Sequence, residues 1–274
     1  MRQELSDKYS NLCAALSREK KLAVAFSAGV DSTLLLKAAV NTLGNENVLA
    51  VTALSASFPE READEADVFT RGIGVSRITV EVDQLSIPGF RENPANRCYL
   101  CKKVLFTQMM EAAREKGFTV MAEGSNVDDL SDYRPGLKAI EELGVMSPLR
   151  EAGLTKAEIR ELSSELGLPT WNKPSFACLA TRFVYGETIT DEKLRRVELG
   201  ERFLQDLGFK QFRVRIHGEE GRLARIEVLP GDFEKLLEKR QEIITFKDKG
   251  INNVDDQYKK RTAVAVIDLQ YFLI

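Results

Sequence analysis

The chain opens on a helical period. Leu5, Tyr9, Leu12, Cys13 and Leu16 recur at three- and four-residue intervals, which predicts an amphipathic helix over 4–20. Cys13 falls on its apolar face and reads as a packed small hydrophobe. Residues 22–26 are then continuously apolar, without alternation, as in a strand covered on both faces. The turn Ser27-Ala28-Gly29 leads into a helix that begins near Val30-Asp31-Ser32 and carries Leu34, Leu35, Leu36, Ala38, Ala39 and Val40. A second buried strand is predicted over 47–54, a helix over 60–72 and a third strand over 76–82. This β-α-β-α-β order predicts a parallel sheet with helices on both faces. A ligand then lies at the carboxyl ends of the strands, where Ser27 and Ser55 fall.

Residues 83–96 read as loop, with Pro88-Gly89 and Asn93-Pro94, and Asn96 to Lys103 opens a helix over 104–116. A short strand over 118–122 ends in the polar run Glu123-Gly124-Ser125-Asn126-Val127-Asp128-Asp129. Thr155 with Glu158 three residues on predicts a capping box for a helix over 156–166. Residues 169–182 are irregular. From about Phe183 the pattern changes: a helix over 191–208 capped by Thr190, alternating strands over 212–216 and 223–229, a helix over 232–244 and a last strand over 262–269. A chain of 274 residues is long for one core, so two domains are expected, 1–183 and 184–274. The second reads as a smaller α/β domain with a mostly antiparallel sheet.

Composition narrows the function classes. A net charge of −3 calls for neither nucleic acid nor membrane as a partner. No apolar run approaches a membrane span, and the first eight residues lack a signal peptide's apolar core. The expectation is a soluble, cytoplasmic protein. Four cysteines in a chain this size are no disulfide scaffold; in a reducing compartment they suggest metal or sulfur chemistry.

At the end of the first strand two hydroxyls (Ser27, Ser32), a glycine and the free N–H groups of a helix start converge. That arrangement binds an anion. It lacks the spacing of a Walker loop or a dinucleotide fingerprint. The block Ser27-Ala28-Gly29-Val30-Asp31-Ser32 resembles the pyrophosphate loop, Ser-Gly-Gly-x-Asp-Ser, of the ATP pyrophosphatase (PP-loop) family. Those enzymes cut ATP between the α and β phosphates and pass AMP to the substrate. Ala28 stands where the family usually has glycine, which is tolerable if its backbone angles are ordinary. The run from Glu123 to Asp129 is similar to the segment Gly-(Thr/Ser)-Asn-x-Asp-Asp that lies against the nucleotide in the same superfamily. The resemblance implies a Rossmann-like domain of the adenine nucleotide alpha hydrolase type. It implies ATP or pyrophosphate contacts from residues 27–32, Ser55, Gly124, Asn126 and Arg182, with Mg²⁺ as counter-ion. Asp31 is a candidate to bind the Mg²⁺ or to anchor the helix start. Lys103 and Arg182 are candidate phosphate or carboxylate partners.

Cys98 and Cys101 are spaced to grip one metal or cluster. Such a pair can also be a zinc half-site, a redox pair or chance. A structural zinc would need a fourth ligand, and the only histidine, His217, lies in the expected second domain. The alternative is that Cys98, Cys101 and Cys178 hold three irons of a 4Fe-4S cluster and leave the fourth open to an extra sulfide. The PP-loop, then Asn96-Arg97-Cys98-Tyr99-Leu100-Cys101-Lys102, then Lys173-Pro174-Ser175-Phe176-Ala177-Cys178-Leu179-Ala180-Thr181-Arg182, together resemble the lactate racemase maturation sulfurtransferase (LarE) family. The likeness runs through the whole chain. It implies an enzyme that adenylates the carboxylates of pyridinium-3,5-biscarboxylic acid mononucleotide and replaces oxygen by sulfur, twice, on the way to a nickel-pincer nucleotide cofactor. One branch of the family sacrifices the sulfur of the cysteine matching Cys178. Another has three cysteines, binds a 4Fe-4S cluster and turns over, and the resemblance places this chain there. Arg213 and Arg215, on one face of a strand, match arginines that take the substrate phosphate; Glu201 and Asp232 match acidic positions near that site. The family likeness further implies a homo-hexamer and leaves the sulfide donor unknown. Three other readings stand beside it. A PP-loop tRNA thiolation enzyme predicts a basic surface that the net charge argues against. An amidotransferase-type synthetase does not need the three cysteines. A zinc-stabilised nucleotide-binding module predicts zinc and no pyrophosphate release.

Overall fold

Strands β1 (Leu22–Ala25), β2 (Val48–Leu54), β3 (Ser76–Glu81) and β4 (Met121–Ala122) form a wholly parallel sheet in the order β3-β2-β1-β4. The structure is a computed structural model and describes residues 2–130, 135–174, 177–218, 221, 223–250 and 265–267. Two compact units divide the chain: Met1–Phe90 with Asn96–Phe176, and Arg91–Ala95 with Ala177–Ile274. Ser175 and Phe176 of the third cysteine motif, and residues 262–264 and 268–269 of the last expected strand, lie outside the described residues.

The first unit explains why β1 is apolar at every position. Leu22, Val24 and Phe26 pack on one side, with Leu34, Leu35 and Leu36 of helix α2 (Val30–Leu43) and with Leu5, Leu12 and Leu16 of helix α1 (Gln3–Leu16). Ala23 faces the other cluster, with Leu49, Val51, Phe106, Met109 and Ala113. Each fully buried leucine contributes roughly 1.5–3 kcal/mol by leaving water. Helix α3 (Glu60–Ile73) joins β2 to β3, and helix α4 (Arg97–Glu115) precedes β4. Parallel neighbours require such crossovers. Helix α4 starts seven residues earlier than the sequence suggests: it follows Asn96 directly, so Cys98 and Cys101 lie inside its first turns. Residues 98–103 contain no glycine or proline to delay it. Strand β4 is correspondingly shorter than expected. Helices α5 (Pro135–Glu142), α6 (Pro148–Glu151) and α7 (Lys156–Glu165) complete the unit. The capping box at Thr155 is present.

In the second unit, helix α8 (Asp191–Asp206) begins at Thr190, whose hydroxyl accepts from the Lys193 N–H at 3.2 Å. Strands β5 (Phe212–His217) and β6 (Leu223–Val228) are antiparallel, whereas β7 (Ala265–Ile267) runs parallel to β6. The sheet is therefore mixed, not mostly antiparallel. The expected helix over 232–244 is two, α9 (Phe233–Glu238) and α10 (Arg240–Gly250), separated at Lys239. This helical stretch lies between β6 and β7, and such a crossover suits a parallel return. No helix among the described residues is long and apolar enough to cross a membrane.

Candidate active site

The turn after β1 leads into a helix whose start no side chain caps. Gly29 occupies the N-cap position of α2 with φ −77° and ψ 167°, and no side chain caps the helix. The first N–H groups of α2 are thus left for a ligand. Ser32 folds back over the turn: its Oγ lies 3.2 Å from the Ser27 Oγ, accepts from the Ser27 N–H at 3.3 Å and donates to the Gly29 carbonyl at 3.3 Å. Ala28 does not have ordinary backbone angles. Its φ is 54°, in the left-handed region, and its methyl is 2% exposed. An L-residue with a Cβ resists that conformation by about 1–2 kcal/mol, so the glycine usual at this position is favoured by the backbone itself.

The polar run after β4 lies against the start of α2. The Asn126 amide donates to Asp31 Oδ1 at 3.2 Å, and Lys156 forms an ion pair with Asp31 Oδ2. Asn126 is fixed in turn, its N–H on Asp129 Oδ2 and its Oδ1 accepting from the Asp128 N–H, both at 2.9 Å. Buried Glu123 accepts from Ser125 at 2.7 Å and from Ser147 at 2.6 Å, which secures the end of β4. A Cβ on Gly124 would stand 3.1 Å from the Ser32 nitrogen and 3.2 Å from the Asp31 Cβ. Gly124 is therefore needed for close approach. Gly124→Ala is expected to lose about 1–3 kcal/mol of stability through overpacking and to weaken ATP binding, as read by urea unfolding and nucleotide titration. Unchanged values for both would sink the close-approach argument. Ser55 is half-buried at the end of β2, where its carbonyl accepts from the Phe58 N–H at 2.9 Å.

Cys98 and Cys101 are three residues apart on α4, hence on one helix face. The Gln84 amide lies 2.8 Å from the Cys101 sulfur, and the Arg97 guanidinium 3.9 Å from that of Cys98. This pair fits two ligand positions of a soft metal or cluster. Cys178 belongs to the second unit; it is exposed, and its carbonyl accepts from the N–H (2.9 Å) and hydroxyl (2.8 Å) of Thr181. Among the described residues no three His, Cys, Asp or Glu side chains are grouped so as to hold a metal ion.

In the second unit the alternating burial of β5 puts Arg213 and Arg215 on one face, as the sequence suggests. Arg182, expected at ATP, and Glu201, expected at the substrate, hold each other: Nε to Oε1 is 2.6 Å and Nη2 to Oε2 is 3.1 Å. Arg215 reaches Glu227 at 2.7 Å and the Thr181 carbonyl at 2.9 Å. Burial lowers the Arg213 guanidinium, and the charges of Arg182 and Arg215 press it the same way. Asp232 lies in a short turn before α9, its N–H on the Leu229 carbonyl at 2.9 Å.

No family model matches the chain. An uncharacterized protein of Synechocystis is 41% identical over 234 residues, which is 85% of this chain and 86% of that protein. The pyridinium-3,5-bisthiocarboxylic acid mononucleotide synthase of Lactiplantibacillus plantarum, a LarE protein, is 38% identical over 229 residues, 84% of this chain and 83% of its own length. The chain belongs to the LarE family. An argininosuccinate synthase of Natronomonas pharaonis, also a PP-loop enzyme, is 28% identical over 166 residues, 56% of this chain and 41% of its own. With its four-stranded parallel sheet, this LarE-family chain is a PP-loop enzyme of the Rossmann-like α/β class.

Its first unit brings Ser27, Asp31, Ser32, Gly124 and Asn126 together. Two lysines that the sequence reading missed join them. Lys156 is the first residue of α7, where the helix dipole disfavours a cation; that misplaced charge was the one available signal. Lys173 donates to the Ala28 carbonyl at 3.0 Å and pairs with Glu62 at 2.6 Å and with Glu65. Lys103 instead pairs with Glu142 of α5 at 2.8 Å, beside the Tyr99 hydroxyl.

Proposed function

We propose that this LarE-family chain is an ATP-dependent sulfurtransferase that adenylates the carboxylates of pyridinium-3,5-biscarboxylic acid mononucleotide and exchanges oxygen for sulfur, in the biosynthesis of the nickel-pincer nucleotide. The uncapped start of α2 behind Ser27 and Ser32 carries the reading, in a chain whose 38%-identical relative is named for the bisthiocarboxylate product.

A carboxylate resists nucleophiles because of its charge. Its oxygen attacks the α-phosphorus of ATP, pyrophosphate leaves, and the carboxyl group, now without its own charge, carries AMP as a leaving group. The attack needs positioning and neutralised charge more than proton transfer. The N–H groups of residues 28–32 and the hydroxyls of Ser27 and Ser32 receive the pyrophosphate. Ser55, Gly124 and Asn126 border the nucleotide. Mg²⁺, with the Asp31 carboxylate as its protein ligand, would supply neutralising charge, and Lys156 is the nearby cation free to turn from Asp31 to phosphate. Hydrosulfide then adds to the acyl carbon, AMP departs with one original carboxylate oxygen, and the thiocarboxylate remains. A 4Fe-4S cluster held by Cys98, Cys101 and Cys178 would present the sulfide. Arg213 and Arg215 take the substrate phosphate, with Glu201 and Asp232 nearby and Lys103 as a further cation.

Anaerobic incubation with ATP, Mg²⁺ and the biscarboxylate mononucleotide tests this. The expected result is substrate-dependent release of AMP and pyrophosphate and a product in which sulfur replaces carboxylate oxygen by mass. ATP cleavage that ignores the mononucleotide would overturn it. Iron with acid-labile sulfide is expected in the protein; colourless protein containing zinc, or a chain lighter by the sulfur of one cysteine after a single turnover, would remove the cluster from the scheme.

A further inference from the structure

We propose that Lys173 is a positioning residue that locks the pyrophosphate loop in its anion-binding conformation by holding the Ala28 carbonyl. The proposal rests on the reading of that loop as a pyrophosphate site and adds a requirement peculiar to a chain with alanine at this position.

An ammonium has three protons to donate. Those of Lys173 have three acceptors: the Glu62 carboxylate at 2.6 Å, the Glu65 carboxylate and the Ala28 carbonyl at 3.0 Å. Glu62 and Glu65 are one turn apart on α3, so that helix anchors the charge. Burial raises the Glu62 carboxyl, and Lys173 opposes the rise, so the glutamate and the lysine need each other. The backbone of Lys173 is held as well. Arg160 of α7 donates to the Trp171 and Lys173 carbonyls, both at 2.8 Å. The Lys173 side chain is only 13% exposed. A fixed cation is thus delivered to one carbonyl of the loop.

That carbonyl belongs to the residue under strain. Ala28 sits at φ 54°, a conformation glycine adopts freely and alanine does not. Relaxation of Ala28 to a negative φ would turn the peptides on both sides of it. The Ala28–Gly29 peptide is planar, with its C=O and N–H pointing in opposite directions. Holding the oxygen on Lys173 therefore aims the Gly29 N–H the other way, at the head of α2. Successive N–H groups around a left-handed residue form the concave nest that takes an anion. In this loop Lys173 does by a charge-assisted hydrogen bond what a glycine does by lack of a side chain.

The test is a double-mutant cycle on the full chain, with inorganic pyrophosphate and then ATP as probes and calorimetry as readout. The proteins are wild type, A28G, K173M and A28G/K173M. K173M is expected to weaken pyrophosphate binding about tenfold, the worth of one hydrogen bond to a charged group. In the A28G background the same change is expected to weaken it by no more than about threefold, because glycine holds the conformation unaided. An equal loss in both backgrounds would overturn the proposal and leave Lys173 as a counter-charge for two glutamates. If K173M fails to fold, the cycle is run with E62Q present in all four proteins, which removes the buried carboxylate that would be left with only Arg61, at 3.7 Å, as counter-charge. Wild-type protein that binds neither probe would sink the loop reading itself, an outcome distinct from a failed cycle.

Discussion

Replacing Cys178 by serine is expected to abolish sulfur insertion while substrate-dependent pyrophosphate release continues. In the proposed scheme the two half-reactions use different residues: adenylation draws on Ser27, Asp31, Ser32, Gly124, Asn126 and Lys156, all in the first unit, whereas Cys178 belongs to the second. Cys178 is exposed, and the Thr181 contacts go to its carbonyl, which serine retains. The cost in stability should stay within about 0.5 kcal/mol, as for most exposed substitutions. Pyrophosphate release and the mass of the small molecule, measured on one sample, give both outcomes. Sulfur insertion that survives in C178S would refute the role of this thiol. Cys98→Ser then separates two chemistries. A cysteine that gives up its own sulfur needs no partner at position 98, and insertion would persist for a single turnover. A cluster with Cys98 among its ligands loses iron, colour and insertion together.

The element that carries the most chemistry was also the most legible. Strand β1 is apolar at successive positions because Val24 and Ala23 face different clusters, and that needs helices on both sides. The uncapped helix start, the capping box at Thr155 and the shared face of Arg213 and Arg215 follow from local spacing, which a sequence displays directly. What escaped depends on residues far apart in the chain. Lys156 and Lys173 meet the loop across 125 and 145 residues, and beyond the cation at the start of α7 no local pattern points to such a meeting. The left-handed φ of Ala28 is not legible for a related reason: alanine itself prefers a negative φ, and only the surrounding contacts hold it otherwise. Family likeness assigns Arg182 and Glu201 to two different ligands, yet in the fold each is the other's partner.

That pairing sets the second large effect. Glu201→Ala is expected to destabilise the second unit by about 3–5 kcal/mol, the range for removing one member of a buried ion pair. Arg182 is 2% exposed and would keep its charge with no carboxylate at its Nε and Nη2. The Val214 N–H, 3.1 Å from Glu201 Oε1, would lose its acceptor in β5. The stranded guanidinium would also stand in the field of Arg213 and Arg215, with the Arg213 guanidinium already lowered by burial and by those neighbouring charges. Glu201→Gln keeps the shape and an acceptor for Val214 but not the charge, so an intermediate loss is expected. Replacing both partners together, Arg182→Met with Glu201→Leu, should recover much of the stability, because no buried charge is left over. Urea unfolding of the four proteins measures this. A loss below about 1 kcal/mol for Glu201→Ala would mean that water reaches Arg182 readily, as at an exposed pair. If the double replacement is stable but binds the mononucleotide poorly, the Arg182–Glu201 pair serves the site: it holds Val214, and with it the strand from which Arg213 and Arg215 project.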